Sequence, residues 1–318
     1  MALTIAQVNP DPVLTGIALQ YGTGGGFAQD FVMPTREVAK DEFQYMIWNL
    51  RDFIQGTQFD SRRAPAAPST RSINPAGTWV TGNVHERSLV DGLPDEVINN
   101  AASGVRMEEA VIRRLTNALR LEIEYELMGL LTDTATIGYD TPTVKWDAST
   151  GTITIEADID TGRERFIKAC GFEPTHILLP PAVANAVKRD STVRDLRKYT
   201  EPNLIQAGGL PPVLFGLNVV VPGAIQDTAN PAAAASVARV WSTDKAVLLY
   251  VDPSAATDPT AMTSVMRFAS AASVGENFVA RSWRNADPSR QLTEYQVMAF
   301  DDIQLVAAAA VIINDVLT

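Results

Sequence analysis

The chain of 318 residues carries 26 basic and 37 acidic side chains, a net charge of -11, with 46% hydrophobic and 20% charged residues. That length allows one large domain or two ordinary ones, and the composition excludes disordered, collagenous and highly charged fibrous chains. The acidic balance excludes a general nucleic-acid binder, whose affinity rests on clustered Lys and Arg.

Taken in chain order, residues 1–37 are rich in Gly, Pro, Asn and Gln, with Gly22, Gly24, Gly25 and Gly26 clustered, and read as an arm with little regular structure. Residues 38–54 have strand composition. Phe43, Tyr45 and Ile47 fall on one face and Met46, Trp48 and Leu50 on the other, so both faces need covering. Residues 55–78 then set Pro65, Pro68 and Pro75 among Arg62, Arg63 and Arg71, and strand character returns at 78–84. The pattern predicts a long hairpin, apolar at its base and polar at its tip. A loop of this length is expected only where it is functional, as an arm lying on something else.

The strongest helical signal spans 105–131, where Ile112, Leu115, Leu119, Ile123, Leu127 and Leu130 recur at steps of three and four and form one stripe. Glu109–Arg113 and Arg120–Glu124 are i,i+4 pairs expected on a solvated or interface face. At 1.5 Å per residue such a helix is about 40 Å long. Beyond it the sequence predicts a strand at 150–155, a helix at 159–169, a strand at 176–179, helices at 181–189 and 193–198, and a Pro/Gly loop at 200–213. Strands are predicted at 218–221, 239–251, 263–269, 278–283, 292–300 and 303–313. Helices and strands that mix without a βαβ repeat make the fold class α+β.

Motifs that would carry catalysis are incomplete. The GTGGGF stretch has Phe27 where a dinucleotide fingerprint needs glycine, and no Gly-Lys-Ser/Thr follows. His85-Glu86 opens like a zinc helix, but Leu89 stands where the second histidine belongs. Two histidines and one cysteine cannot assemble a soft-ligand metal cluster, which leaves only a carboxylate site open. Cys170 shares a helical face with Phe166 and Ile167 and reads as a buried, inert thiol. No Gly-x-Ser-x-Gly elbow occurs. Neither catalytic residue nor cofactor is therefore expected. The first residues lack a basic n-region and the longest apolar run, 305–313, is too short to cross a bilayer, so no signal peptide and no membrane partner are expected.

Several stretches, in order, resemble one family. The segment TVKWDASTGTITIEADIDTGRERFIKACGFEPTHILLPPAVANAVKRDSTVRDLRKY is similar to the middle of tailed-bacteriophage major capsid proteins. LFGLNVVVPGAIQD followed by ARVWSTDKAVLLYVDP resembles the family's later axial-domain strands. MRFASAASVGENFVARSWRNADPSRQLTEYQVMAF with IQLVAAAAVIIND resembles its peripheral-domain strands. The resemblance covers most of residues 30–318 and implies the Hong Kong 97-type fold. It divides the chain into an N-terminal arm (1–37), an extended loop (38–84), a peripheral domain (85–175 and 270–318, with a spine helix at 105–131) and an axial domain (176–269), whose tip would be the Ala-rich loop 227–236.

The implied function is a major capsid protein that assembles into hexamers and pentamers, forms an icosahedral head around double-stranded DNA and has no enzymatic activity. The implied place is the virion, assembled in the host cytoplasm. The implied partners are other copies, a portal protein, a separate scaffolding protein (the arm being too short to include one) and a decoration or cementing protein. Tyr45, Ile47 and Trp48 are the expected contacts of the hairpin base on a neighbouring subunit, with Arg62 and Arg63 reaching acidic partners near the tip. The turn 285–290 resembles the family's peripheral loop, where Asp287 beside Arg284 and Arg290 would pair across a three-fold axis. Some members join subunits through a lysine–asparagine isopeptide bond, but residues 51–84 contain no lysine, so no cross-link is expected. The alternatives are an encapsulin-type shell around enzyme cargo, a soluble α+β enzyme, which would need a convergent polar site, and a tail or baseplate protein, which would not need the long helix.

Overall fold

The computed structural model describes residues 26–47, 78–100, 106–150, 152–200, 210–229, 236–258, 261–270, 278–287, 290–306 and 310–318. Its elements begin with α1 (Gln29–Val32), β1 (Thr35–Val38), β2 (Glu42–Ile47), β3 (Thr78–Asn83), β4 (His85–Pro94), α2 (Asp95–Asn100), α3 (Met107–Thr132) and β5 (Gly138–Asp140). They continue with α4 (Ile155–Cys170), β6 (His176–Leu178), α5 (Pro181–Arg189), α6 (Ser191–Thr200), β7 (Val213–Leu214), β8 (Leu217–Val220), β9 (Ile225–Asp227) and β10 (Val237–Arg239). The last are β11 (Ala246–Leu249), β12 (Val265–Ser270), β13 (Val279–Arg284), β14 (Leu292–Leu305) and β15 (Ala310–Ile313).

Helix α3 is one unbroken element of 26 residues. Glu108 and Glu109 in its first turn favour the positive end of the helix dipole. Its buried row runs Ile112, Leu115, Leu119, Ile123, Leu127 and then Leu131 rather than Leu130. Each step of four residues turns the row by about 40°, because 3.6 residues complete a turn, so the stripe drifts around the helix and ends on Leu131. A second row, Thr116, Arg120 and Glu124, is buried beside it. The surface pair expected at Arg120–Glu124 is therefore absent: each side chain faces the segment 27–30 and takes its partner there, as shown below.

Two sheets carry the fold. The five-stranded sheet runs β1-β12-β14-β13, with β4 on the other side of β14. The six-stranded sheet runs β5-β15-β11-β6-β8-β7. Sequence-based boundaries shift here. The stretch 150–155 is not a strand among the described residues, and helix α4 starts at Ile155. The single strand expected at 239–251 is two, β10 and β11. The two expected at 292–300 and 303–313 become one long strand, β14, and the separate β15. Residues 265–269, assigned above to the axial segment, join the five-stranded sheet, while 310–313, assigned to the peripheral one, pair with β11 in the six-stranded sheet.

Strand β4 carries no apolar run, yet it pairs with β14 over ten residues, from Leu292↔Pro94 to Asp301↔His85. Arg87, Leu89, Asp91 and Leu93 alternate inward along it. The arm also departs from expectation. Its last residues form α1 and β1, and β1 lies parallel to β12.

The core has two halves. In one, the α3 row meets Ala280, Val297 and Ala299 of the five-stranded sheet. In the other, Ile159 and Phe166 of α4 and Val183 and Val187 of α5 cover Ile177, Leu248 and Val311. Strand β11 joins the halves: Val247 and Leu249 belong to the first, Ala246 and Leu248 to the second. Two covered faces explain why its four residues AVLL are consecutively apolar. Gly162 lets α4 approach that strand, since a Cβ there would lie 2.8 Å from Leu248 Cδ1.

Candidate assembly interface

Strands β2 and β3 pair from Glu42↔Asn83 to Ile47↔Thr78. This register turns Phe43, Tyr45, Ile47 and Val80 to one face, where they pack on Met266 and Phe268 of β12 and on Ala255. The ring centroids of Phe43 and Tyr45 lie 4.3 Å and 5.3 Å from that of Phe268. Gly82 makes room for the Phe43 ring, which a Cβ would meet at 2.3 Å. Burial, and then Asp302, push the Tyr45 phenol pKa up.

Tyr45 is therefore buried within its own chain, with Ile47 partly so, rather than left bare for a neighbour. The other face is different. Met46 stands opposite Trp79, and Trp79 keeps 63% of its surface exposed. The alternation of the sequence continues that face toward Trp48, which lies outside the described residues, as do Arg62 and Arg63. Sequence reasoning missed Trp79, although its place in the returning strand was legible. What it lacked was the register that pairs it with Met46.

At the expected peripheral turn, Arg284 reaches Asp95 at the start of α2, 2.5 Å away, and Arg290 lies 3.5 Å from Asp287. Arg284 and Arg290 side chains stay 63% and 66% exposed, so these pairs contribute only about 0–1 kcal/mol each. Near the expected axial tip, Asp227 accepts hydrogen bonds from the Ala229 and Ser236 amides, which lower its pKa and close the β9–β10 ribbon. Ile225 and Val237 are exposed on this ribbon. Residues 230–235 lie outside the described set.

A cleft of about 850 Å³ is lined by Trp146, Asp147, Asn185, Arg189, Asp190 and Thr192, among others. Its buried carboxylate, Asp190, caps helix α6 by accepting from the Thr192 and Val193 amides. Burial pushes the Cys170 thiol up and the His176 imidazole down. Among the described residues no group of three His, Cys, Asp or Glu side chains could hold a metal ion. No helix among them is long and apolar enough to cross a membrane.

The polar groups at the root of the hairpin instead bind elements together. Asp301, fully buried in β14, receives Arg87 Nε at 2.7 Å on one oxygen and Arg267 Nε at 2.7 Å on the other. Arg87 also meets Glu122, at 3.2 Å, and Glu126 of helix α3. Burial alone would lower the Arg87 pKa, but Asp301 and Glu126 outweigh it and the net shift is upward. One network thus ties β4, β12, β14 and the long helix.

A family model described as phage capsid protein matches residues 93–283, from the end of β4 through β13. The chain belongs to the phage capsid protein family. No curated protein matches its sequence. Among solved structures, a phage-related protein from Bordetella bronchiseptica is similar at 16% identity and a TM-score of 0.70, covering 96% of this chain and 97% of that one. The capsid of cyanophage P-SCSP1u matches at 11% identity and 0.61, over 91% and 88%. An encapsulin from Synechococcus elongatus matches at 13% and 0.52, over 99% and 92%. At these identities the likeness is one of fold, and that fold is the Hong Kong 97-type α+β fold. This phage capsid protein is a shell protein.

Proposed function

We propose that the chain is the major capsid protein of a tailed bacteriophage, assembling into hexamers and pentamers that enclose a double-stranded DNA genome. In this reading residues 38–84 form the extended loop, the five-stranded sheet with α3 the peripheral domain, and the six-stranded sheet with α4–α6 the axial domain, tipped by the β9–β10 ribbon. The head is completed by a scaffolding protein, a portal and a cementing protein, and is assembled in the host cytoplasm. The observation that carries the reading is the Met46–Trp79 face. Trp79 is 63% exposed there beside the half-buried Met46, on a ribbon whose opposite face is already packed on its own subunit, as expected of a contact between copies. The net charge of -11 suits a shell that does not hold its DNA by phosphate contacts.

Electron microscopy of particles from infected or co-expressing cells tests the proposal: DNA-filled icosahedral heads support it, and dispersed monomers count against it. Empty shells around protein cargo would favour the second reading, an encapsulin-type compartment, which the likeness to the Synechococcus elongatus protein brings forward.

Two further results are expected. Trp79→Ser should leave the subunit folded with a nearly unchanged melting temperature. Buried interface tryptophans are worth about 2 kcal/mol or more, so particle yield should fall by more than about tenfold in sedimentation. Normal yield would remove this face from the contact. Boiling mature particles in detergent should return this chain as a single band near 34.4 kDa, because residues 51–84 hold no lysine and the guanidinium of Arg62 or Arg63 stays protonated and cannot attack an asparagine. A covalent ladder would contradict this.

A further inference from the structure

Glu124 has no surface exposed to solvent and, among the described residues, no cation among its hydrogen-bonding partners. One carboxylate oxygen accepts from the Ala28 amide at 2.8 Å and from Trp241 Nε1 at 2.6 Å; the other accepts from the Gln29 amide at 3.1 Å. The neighbouring guanidinium, Arg120, is committed elsewhere: it meets Asp30 at 2.5 Å and lies over the Phe27 ring at 4.3 Å. Gly26 closes the arrangement, its carbonyl accepting from the Gly223 amide at 2.6 Å. Residues 27–30 are thus held to the long helix and to the segment at Trp241 by polar contacts around one buried carboxylate, with Ala28 buried in the core and Phe27 packed against it.

We propose that residues 27–30 form a clip that opens separately from the rest of the fold, and that one proton on Glu124 sets how tightly it closes.

The electrostatics point the same way as the geometry. Burial disfavours the charged form and pushes the Glu124 pKa up. The bonds from Ala28, Trp241 and Gln29 pull it back only in part, and the nearby charge of Asp30 adds to the rise. Asp30 on the clip and Arg120 on the helix are the charged groups that bear on it; the segment at Trp241 contributes the neutral indole. A carboxyl whose pKa is higher closed than open takes up a proton on closing. Closure therefore strengthens as pH falls from the raised closed-state value toward the ordinary carboxyl value of the open state, and is independent of pH on either side of that window.

Hydrogen exchange on the full chain tests this, read at the Ala28 and Gln29 amides and corrected for intrinsic exchange. Both should exchange faster than the amides of β11. Their protection should grow as pH falls, by up to about tenfold per pH unit for one linked proton. Glu124→Gln, neutral at every pH, should abolish the pH dependence of that protection, with β11 unchanged. Asp30→Asn, at a partly exposed position that spares the fold, should move the transition to lower pH, by removing a repulsive charge and freeing Arg120. Exchange of Ala28 and Gln29 at the rate of β11, protection that ignores pH, or a transition unmoved by Asp30→Asn would each overturn the proposal.

Discussion

Asp301→Asn is expected to destabilise the folded subunit by about 3–5 kcal/mol, measured by denaturant unfolding. The substitution keeps the side-chain shape, so no cavity is created. What it removes is the charge that compensates two guanidiniums, one half-buried and one buried: the Arg87 and Arg267 side chains are 16% and 6% exposed. Arg87 retains Glu122 and Glu126, but those carboxylates are 54% and 38% exposed and screened by water, so they offset little. Arg267 loses the carboxylate 2.6–2.7 Å from its guanidinium. Replacing Arg267 by Met in the same chain should recover part of the loss, because an apolar side chain of similar volume needs no partner. A loss below about 1 kcal/mol for Asp301→Asn would mean that water reaches the site and that the network does not hold the sheet to the long helix.

What was legible in the sequence follows from how local each signal is. Helix α3 could be read because its period repeats for seven turns, and β6, α5 and β8 because apolar runs and Pro181 punctuate them. Strand β4 could not: its inward positions are Arg87, Leu89, Asp91 and Leu93, and two of these four are charged. They are tolerated there because Arg87 finds Asp301 and Asp91 finds Arg114, partners 214 and 23 positions away in the chain. The same blindness affected Glu124, whose spacing from Arg120 fits a surface pair on a helix, while its actual donors lie 95, 96 and 117 residues away. At the hairpin, the two apolar faces were visible but not which one the chain covers itself. That depends on Phe268, which only the pairing of β1 with β12 brings beneath Tyr45.

Leu119→Ala and Ile123→Ala should each cost about 2–5 kcal/mol, at the upper end if the site cannot collapse. Both side chains are fully buried and belong to the row that packs the long helix on the five-stranded sheet. They sit near the middle of a helix of 26 residues, so its ends cannot fray to relieve the vacancy. The sheet cannot move in either, because β14 is pinned on one side by β4 and on the other by β13 and β12. The cavity term should therefore persist almost in full. Leu130→Ala is the internal comparison. Leu130 was placed on the stripe by spacing alone, but it is only half-buried, and Leu131 takes the core position. Its loss should be clearly smaller than that of Leu119→Ala. Since assembly draws on folded subunits, the two core variants should also reduce particle yield at a temperature near the wild-type melting point. Particles of unchanged yield and melting temperature from Leu119→Ala or Ile123→Ala would show that the long helix is not what braces the subunit.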